Sequence, residues 1–170
     1  MLRTEHNDTL TFITQPDHGQ LAGMLAAHWG NESFTAAGHY GNPAETDRLR
    51  GEVLRGIAEH DNGWWEWEAD PSTTLETGHP MGLGEVLQDQ QAGMDRWHLG
   101  TARFPAYPYA SLLIVWHAYW LYAIRVVDNP DARFTHPLFW KGATEQLYPG
   151  ALDLPKEFLS GLAVTQKRFE

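Results

Sequence analysis

A histidine and an aspartate stand side by side at His60 and Asp61, at the end of an apolar helical pattern. Val53 and Ile57 precede them at spacings of three and four residues, so one helix face continues into the polar pair. Gly63 follows and is typical of a helix stop. Polar groups at the buried end of a core-facing helix need partners, which can be other side chains or a metal ion.

Two more of the 9 histidines fall on predicted inward helix faces. His18 lies one helical step before Leu21, in a helix that we expect to begin at Gln15 and Pro16. His117 lies in the middle of the most apolar predicted helix. A single inward histidine is more often a core residue with a hydrogen-bond partner than a metal ligand, so the coincidence of all three carries the hypothesis.

Imidazole and carboxylate groups together suit divalent manganese, iron or zinc. We predict one or two such ions held by His18, His60, Asp61 and His117, with Asp61 and His117 also acting as catalytic residues. The ion would lower the pKa of a bound water and polarise the substrate. Asp128, at the end of the apolar helix, is a further candidate ligand.

Side chains next to these histidines are candidates for a substrate pocket. They are Asp17, Glu59, Trp64 and Trp65. Tryptophan has a large apolar body and an N–H group, which suits a pocket wall and a bulky core equally well. The alternative to an enzyme is therefore a non-catalytic small-molecule-binding module with a pocket of tryptophan and histidine side chains.

The elements that must position these residues are predicted to be mainly helical, in one domain over residues 1–170. The fold class is all-α with one short N-terminal strand over residues 9–14. The first helix is expected to face the core through an apolar stripe, which consists of Leu21, Ala22, Leu25 and Trp29. The last helix has no stop signal at Glu170, so we expect a natural chain that continues beyond it. The predicted helices cover residues 15–29, 43–60, 85–99, 109–127 and 155–170, with a short one near 137–147 and an irregular stretch over 62–84.

Composition excludes several classes of function. The formal charge of −10 and the absence of a basic stripe argue against nucleic-acid binding. The absence of cysteine excludes disulfides and thiolate metal sites. Residues 110–127 are apolar but contain His117 and Arg125, which favours a core helix over a membrane span. We predict a cytoplasmic protein that binds a small molecule. A third hypothesis is a structural helical domain that assembles into a homo-oligomer through exposed aromatic side chains.

Residues 13–18, 27–30 and 59–64, read together, resemble the bacterial domain of unknown function 3891 family. The stretch over 109–113, leading to His117 and Ala118, is similar to the third block of that family. The resemblance covers most of the chain, and the family name carries no activity.

Residues 57–63 are also similar to the apolar run and His-Asp-x-Gly pattern of the HD-domain metal phosphohydrolases. This resemblance implies a compact HD-like helical fold with His18, His60 and Asp61 as metal ligands, and with Asp128 or His117 closing the site. The chain departs from the pattern because no lysine follows the glycine. The resulting prediction is a metal-dependent hydrolase of HD-like type that acts on a small substrate. Phosphorylated and unphosphorylated small molecules are both candidates.

Overall fold

The computed structural model describes residues 1–86, 89–126 and 153–168, and it is mainly helical. An antiparallel hairpin of β1 (Leu2–His6) and β2 (Thr9–Ile13) begins the chain. The helical elements are α1 (Gln15–His28), α2 (Pro43–Ala58), a 3₁₀ helix (Asn62–Trp64), α3 (Trp65–Ala69), α4 (Leu83–Val86), α5 (Gln90–Thr101), α6 (Pro108–Val126) and α7 (Asp153–Gln166).

The chain divides into two compact units, Met1–Ile114 and Val115–Glu170. In the second unit, Tyr122 of α6 and Phe158 of α7 meet edge to face with ring centroids 4.8 Å apart. The organisation as a single domain stays a prediction. The predicted short helix near 137–147 and the candidate ligand Asp128 lie outside the described residues.

The N-terminal hairpin contains one predicted strand and one that the sequence pattern did not indicate. β2 confirms the predicted strand, and β1 pairs with it so that Leu2 lies opposite Ile13. Asn7 and Asp8 connect the strands with positive φ angles of 48° and 59°. A two-residue hairpin turn needs such angles. Apart from glycine, asparagine and aspartate are the residues that tolerate them best.

Helix α1 begins where the sequence predicts. The Thr14 hydroxyl accepts a hydrogen bond from the backbone N–H of Asp17 at 3.1 Å and so caps the helix. Pro16 suits the first turn because the backbone N–H that it lacks would have no helical partner there.

The prediction of an inward-facing apolar stripe on α1 is wrong. Leu21, Leu25 and Trp29 each expose more than half of their surface, and Ala22 is only half-buried. The buried residues of this helix are instead Gln15, Gly19 and Gly23. The periodicity marked a true helix, but the apolar side chains lie on its outer face.

Two glycines explain which face of α1 is buried. A Cβ on Gly19 would lie 2.6 Å from the carbonyl oxygen of Ala58, and a Cβ on Gly23 would lie 2.5 Å from the Cβ of Ala58. The backbones of α1 and α2 therefore approach closely through faces of small residues, which larger side chains would force apart. This close contact brings the start of α1 beside the end of α2.

Helix α2 positions the His-Asp pair. Asn42 caps it by accepting a hydrogen bond from the N–H of Ala44 at 3.0 Å, and Val53 is buried as predicted. The helix ends at Ala58 rather than near His60. His60 and Asp61 consequently lie in the turn between α2 and the 3₁₀ helix, where they are not constrained to one helical face.

The stretch over 62–84 is more ordered than predicted, because it contains the 3₁₀ helix and α3 and leads into α4. The third long helix, predicted from Glu85, begins at Gln90 as α5. Val86, Met94 and Trp97 are nevertheless buried as the pattern predicts.

Helix α6 closely matches its prediction in length. The Glu52 carboxylate accepts hydrogen bonds from the N–H groups of Tyr109 at 2.7 Å and Ala110 at 3.1 Å, and so supports its first turn. The apolar pattern of this helix predicts inward positions for Trp116 and Trp120, and this prediction is wrong, since 45% and 57% of their surfaces are exposed. The buried side chains of this helix include Ala110, Ser111, Ile114, Val115, Ala118, Tyr122 and Ala123. Within the described part of the chain, no helix combines the length and apolar character that crossing a membrane requires.

Candidate metal centre

Three of the four predicted metal ligands lie together in the first unit. His18, His60 and Asp61 each offer one ligand atom, and these atoms all lie within 4.8 Å of one another. His18 comes from the first turn of α1, and the other two come from the turn after α2. Both histidines are half-buried, whereas Asp61 exposes only 5% of its surface.

The hydrogen bond of His60 fixes its tautomer. Its Nδ1 lies 2.6 Å from the carbonyl oxygen of Ile57, which can only accept, so Nδ1 carries the proton. The other ring nitrogen, Nε2, lies 3.3 Å from Oδ2 of Asp61. Metal-ligating histidines typically donate their second ring N–H to a carbonyl or carboxylate in this way. This tautomer leaves Nε2 as the ring atom that faces Asp61.

The contact between His60 and Asp61 requires positive charge on or beside the imidazole. In the neutral imidazole, Nε2 and the Asp61 oxygen would both be acceptors facing each other. Burial acts to lower the pKa of His60, but the hydrogen bond to Asp61, the charge of Asp61 and the Ile57 carbonyl outweigh it, so the pKa is raised above its ordinary value. A proton or a divalent ion satisfies the same arrangement.

His18 completes the cluster from the opposite helix. Its ring meets that of His60 edge to face, with centroids 5.2 Å apart and an interplanar angle of 84°. The Cβ position of the adjacent Gly19 would lie 3.8 Å from the His60 ring. The close contact of the two helices thus sets the distance between the two imidazoles.

Gln15 also lies beside these residues, although the sequence pattern indicated it only as the start of a helix. It exposes 7% of its surface, and its Nε2 donates to Oδ2 of Asp61 at 3.3 Å. Its backbone N–H donates to Oε2 of the buried Glu68 at 2.6 Å, while the other Glu68 oxygen forms an ion pair with the N-terminal ammonium of Met1. The signal that could have found Gln15 is its position three residues before His18, on the same helix face.

The residues predicted for a substrate pocket occupy different surroundings. Asp17 is exposed and accepts a hydrogen bond from the Thr14 hydroxyl at 2.7 Å, and Glu59 accepts one from Gln20 at 3.1 Å. Trp64 is 3% exposed, whereas Trp65 is 53% exposed. These two tryptophans therefore do not face one common environment.

Trp64 packs into the interior of the first unit. Its ring meets Trp67 edge to face at 5.9 Å, and the Arg96 guanidinium lies 4.8 Å from the ring centroids of both tryptophans. Cation–π contacts of this kind stabilise a packed arginine. The alternative of a binding module with a tryptophan-lined pocket stays a prediction.

His117 lies on α6 within the second unit, where it is half-buried. Its predicted role as a ligand or as a general acid–base stays a prediction.

A surface cavity of about 330 Å³ lies in the loop after α1. None of the residues predicted for the metal centre or the substrate pocket lines it. Its lining residues are Gly30, Asn31, Glu32, Ser33, Phe34, Thr35, Ala36 and His39.

Comparison with known families finds one whose model, described as a protein of unknown function (DUF3891), matches residues 1–148. The matched segment contains His18, His60, Asp61 and His117. No curated protein and no solved structure matches the chain.

Proposed function

The chain belongs to the DUF3891 family of proteins of unknown function, and we propose that it is a divalent-metal-dependent hydrolase of HD-like type that acts on a small substrate. The observation that carries this proposal is the proximity of His18, His60 and Asp61, whose ligand atoms all lie within 4.8 Å of one another. A pair of imidazoles with one carboxylate is a ligand set typical of catalytic zinc and non-haem iron sites, which keep a position open for water or substrate.

The electrostatics of the surrounding elements support a bound cation. Neither α1 nor residues 56–70 contain a lysine or arginine, whereas these two segments contain the acidic residues Asp17, Glu59, Asp61, Glu66, Glu68 and Asp70. Glu68 is paired with the N-terminal ammonium of Met1 and Glu66 with Arg103, so buried Asp61 supplies the negative charge beside the histidines. A divalent ion offsets that charge, and it also supplies the positive charge that an anionic substrate would need at this site.

All three side chains would ligate the ion in the proposed centre. Asp61 and Nε2 of His60 would ligate from the turn after α2, with the Ile57 carbonyl holding the His60 ring in place. His18 would ligate from α1. An ion held there would lower the pKa of a bound water and so supply a nucleophile at neutral pH.

The test is a hydrolysis screen of chelator-treated protein restored with Mn²⁺, Fe²⁺ or Zn²⁺. Substrates should include phosphomonoesters, phosphodiesters, carboxylic esters and amides, because the ligand set serves each of these reactions. We expect turnover that depends on the added ion and that falls at least about 100-fold in Asp61→Asn.

Asp70→Asn is the matched control, since Asp70 is an exposed carboxylate near the cluster in the sequence and is not one of the predicted site residues. This variant should keep the activity of the wild type. An ion-loaded wild type that hydrolyses none of the four substrate classes contradicts the proposal, as does activity that survives in Asp61→Asn.

A further inference from the structure

We propose that Gln15 is a positioning residue of the metal centre: its Nε2 fixes the Asp61 carboxylate, and its Oε1 orients a water molecule held at the ion. This inference rests on the proposed function and concerns a residue to which neither the family match nor the HD-like pattern assigns a role. It comes from the buried polar atoms around the cluster.

The first observation is the hydrogen bond between Gln15 and Asp61. Nε2 of Gln15 and Nε2 of His60 both lie 3.3 Å from Oδ2 of Asp61. The reverse orientation of the amide would place two oxygens against each other, so the donor must face the carboxylate. Gln15 thus restrains the same carboxylate oxygen that faces His60.

The second observation is the carbonyl oxygen of Gln15. Oε1 is fully buried and has no hydrogen-bond partner among the described residues. Burying an acceptor without a partner is costly, so native proteins rarely retain one unless water, an ion or a ligand satisfies it. Because Oε1 shares its carbon with the nitrogen that contacts Asp61, the oxygen needing a partner lies beside the cluster.

The chemistry of an amide determines the role. Glutamine neither gains nor loses a proton at neutral pH, so Gln15 cannot act as an acid or a base. Its carbonyl can accept a hydrogen bond from water at the ion, which leaves a lone pair of that water free to face a substrate. Partners of this kind, which orient ligands without binding the ion, commonly affect metal affinity by 10–100-fold.

A purely structural role for Gln15 would leave a different signature. Its backbone N–H already anchors the start of α1 to Glu68 at 2.6 Å, and any residue except proline keeps that bond. Under the structural interpretation, the side chain contributes only to stability. The affinity of the folded protein for metal would then not depend on it.

The experiment compares Gln15→Met with Gln20→Met in chelator-treated protein titrated with Mn²⁺ and with Co²⁺. Methionine has a similar length and cannot donate an N–H hydrogen bond. Gln20 is the matched control because it lies on the same helix, is exposed and donates to Glu59 at 3.1 Å. We expect the Kd for Mn²⁺ to rise about 10–100-fold in Gln15→Met. We also expect an altered visible absorption spectrum of bound Co²⁺ in this variant, while Gln20→Met matches the wild type in both measurements.

An unchanged Mn²⁺ affinity and Co²⁺ spectrum in Gln15→Met overturn the inference, even if the variant is less stable. If this variant does not fold, Gln15→Glu keeps the length of the side chain but lacks the donor, so a wild-type Co²⁺ spectrum in Gln15→Glu gives the same negative result. A wild type that binds no metal overturns both this inference and the proposed function. A wild type whose binding depends on Asp61 but not on Gln15 overturns the inference alone.

Discussion

Replacing Asp61 by asparagine is expected to weaken the binding of Mn²⁺ or Zn²⁺ by at least about 100-fold. Asp61 is the one carboxylate of the cluster and is 5% exposed, so little water is present to replace its charge. Asparagine keeps the shape of the side chain and one oxygen but loses the negative charge. Isothermal titration of chelator-treated protein with each ion measures the effect directly.

The control for this substitution is Asp17→Asn, which removes the same charge from the neighbourhood of the other helix. Asp17 is exposed and its carboxylate accepts from the Thr14 hydroxyl rather than from the cluster. The affinity of the Asp17→Asn variant for metal should remain close to that of the wild type. An equal loss of metal affinity in both variants would mean that the overall negative charge of this region attracts the ion, rather than a defined site.

Gly63→Ala is expected to destabilise the first unit by about 3 kcal/mol, at the upper end of the usual cost of overpacking. A Cβ at this position would lie far inside van der Waals contact of the Arg96 carbonyl oxygen and close to the N atom of Gly100. Both neighbours belong to the backbone of α5, which cannot rotate away as a flexible side chain can. Chemical unfolding in urea, followed by tryptophan fluorescence, reports the change in the free energy of unfolding.

Gly51→Ala provides the comparison for this glycine. Gly51 lies on the exposed side of α2, and a Cβ there would contact nothing within 4 Å. Alanine should stabilise the helix by up to about 1 kcal/mol because it has the higher helix propensity. Gly63→Ala with the stability of the wild type would show that α5 does not pack against the 3₁₀ helix as described.

The His-Asp pair and its approach could be predicted from the sequence because the signal is local. Val53 and Ile57 mark a helix that runs toward Gly63, and helix periodicity depends only on residues a few positions apart. The ends were less accurate, since α2 stops at Ala58 and places His60 in a turn. Helix ends depend on caps and tertiary contacts that a periodic pattern does not contain.

The face of α1 could not be predicted in the same way. Leu21 and Leu25 indicate an apolar stripe, and burying a stripe is the usual expectation for an amphipathic helix. The contact with α2 instead uses Gly19 and Gly23, whose lack of side chains allows the backbones to approach. A glycine pair spaced by four residues is a weak signal unless the partner surface, here Ala58, is known.

Gln15 shows the limit of local reasoning at the site itself. Its hydrogen bond to Asp61 joins residues 46 positions apart, and nothing in either local sequence indicates that contact. The tautomer of His60 likewise depends on the Ile57 carbonyl, which becomes available only because α2 ends where it does. The residue types of the cluster could therefore be predicted from the sequence, whereas their orientation could not.

The decisive experiment for the proposed metal centre is metal analysis of the wild type, purified without a histidine tag, beside Asp61→Ala. We expect stoichiometric manganese, iron or zinc in the wild type and loss of that metal in the variant, because His18, His60 and Asp61 lie close enough to share one ion. Wild-type protein that contains no metal and also fails to bind added Mn²⁺, Fe²⁺ and Zn²⁺ would rule out this metal centre.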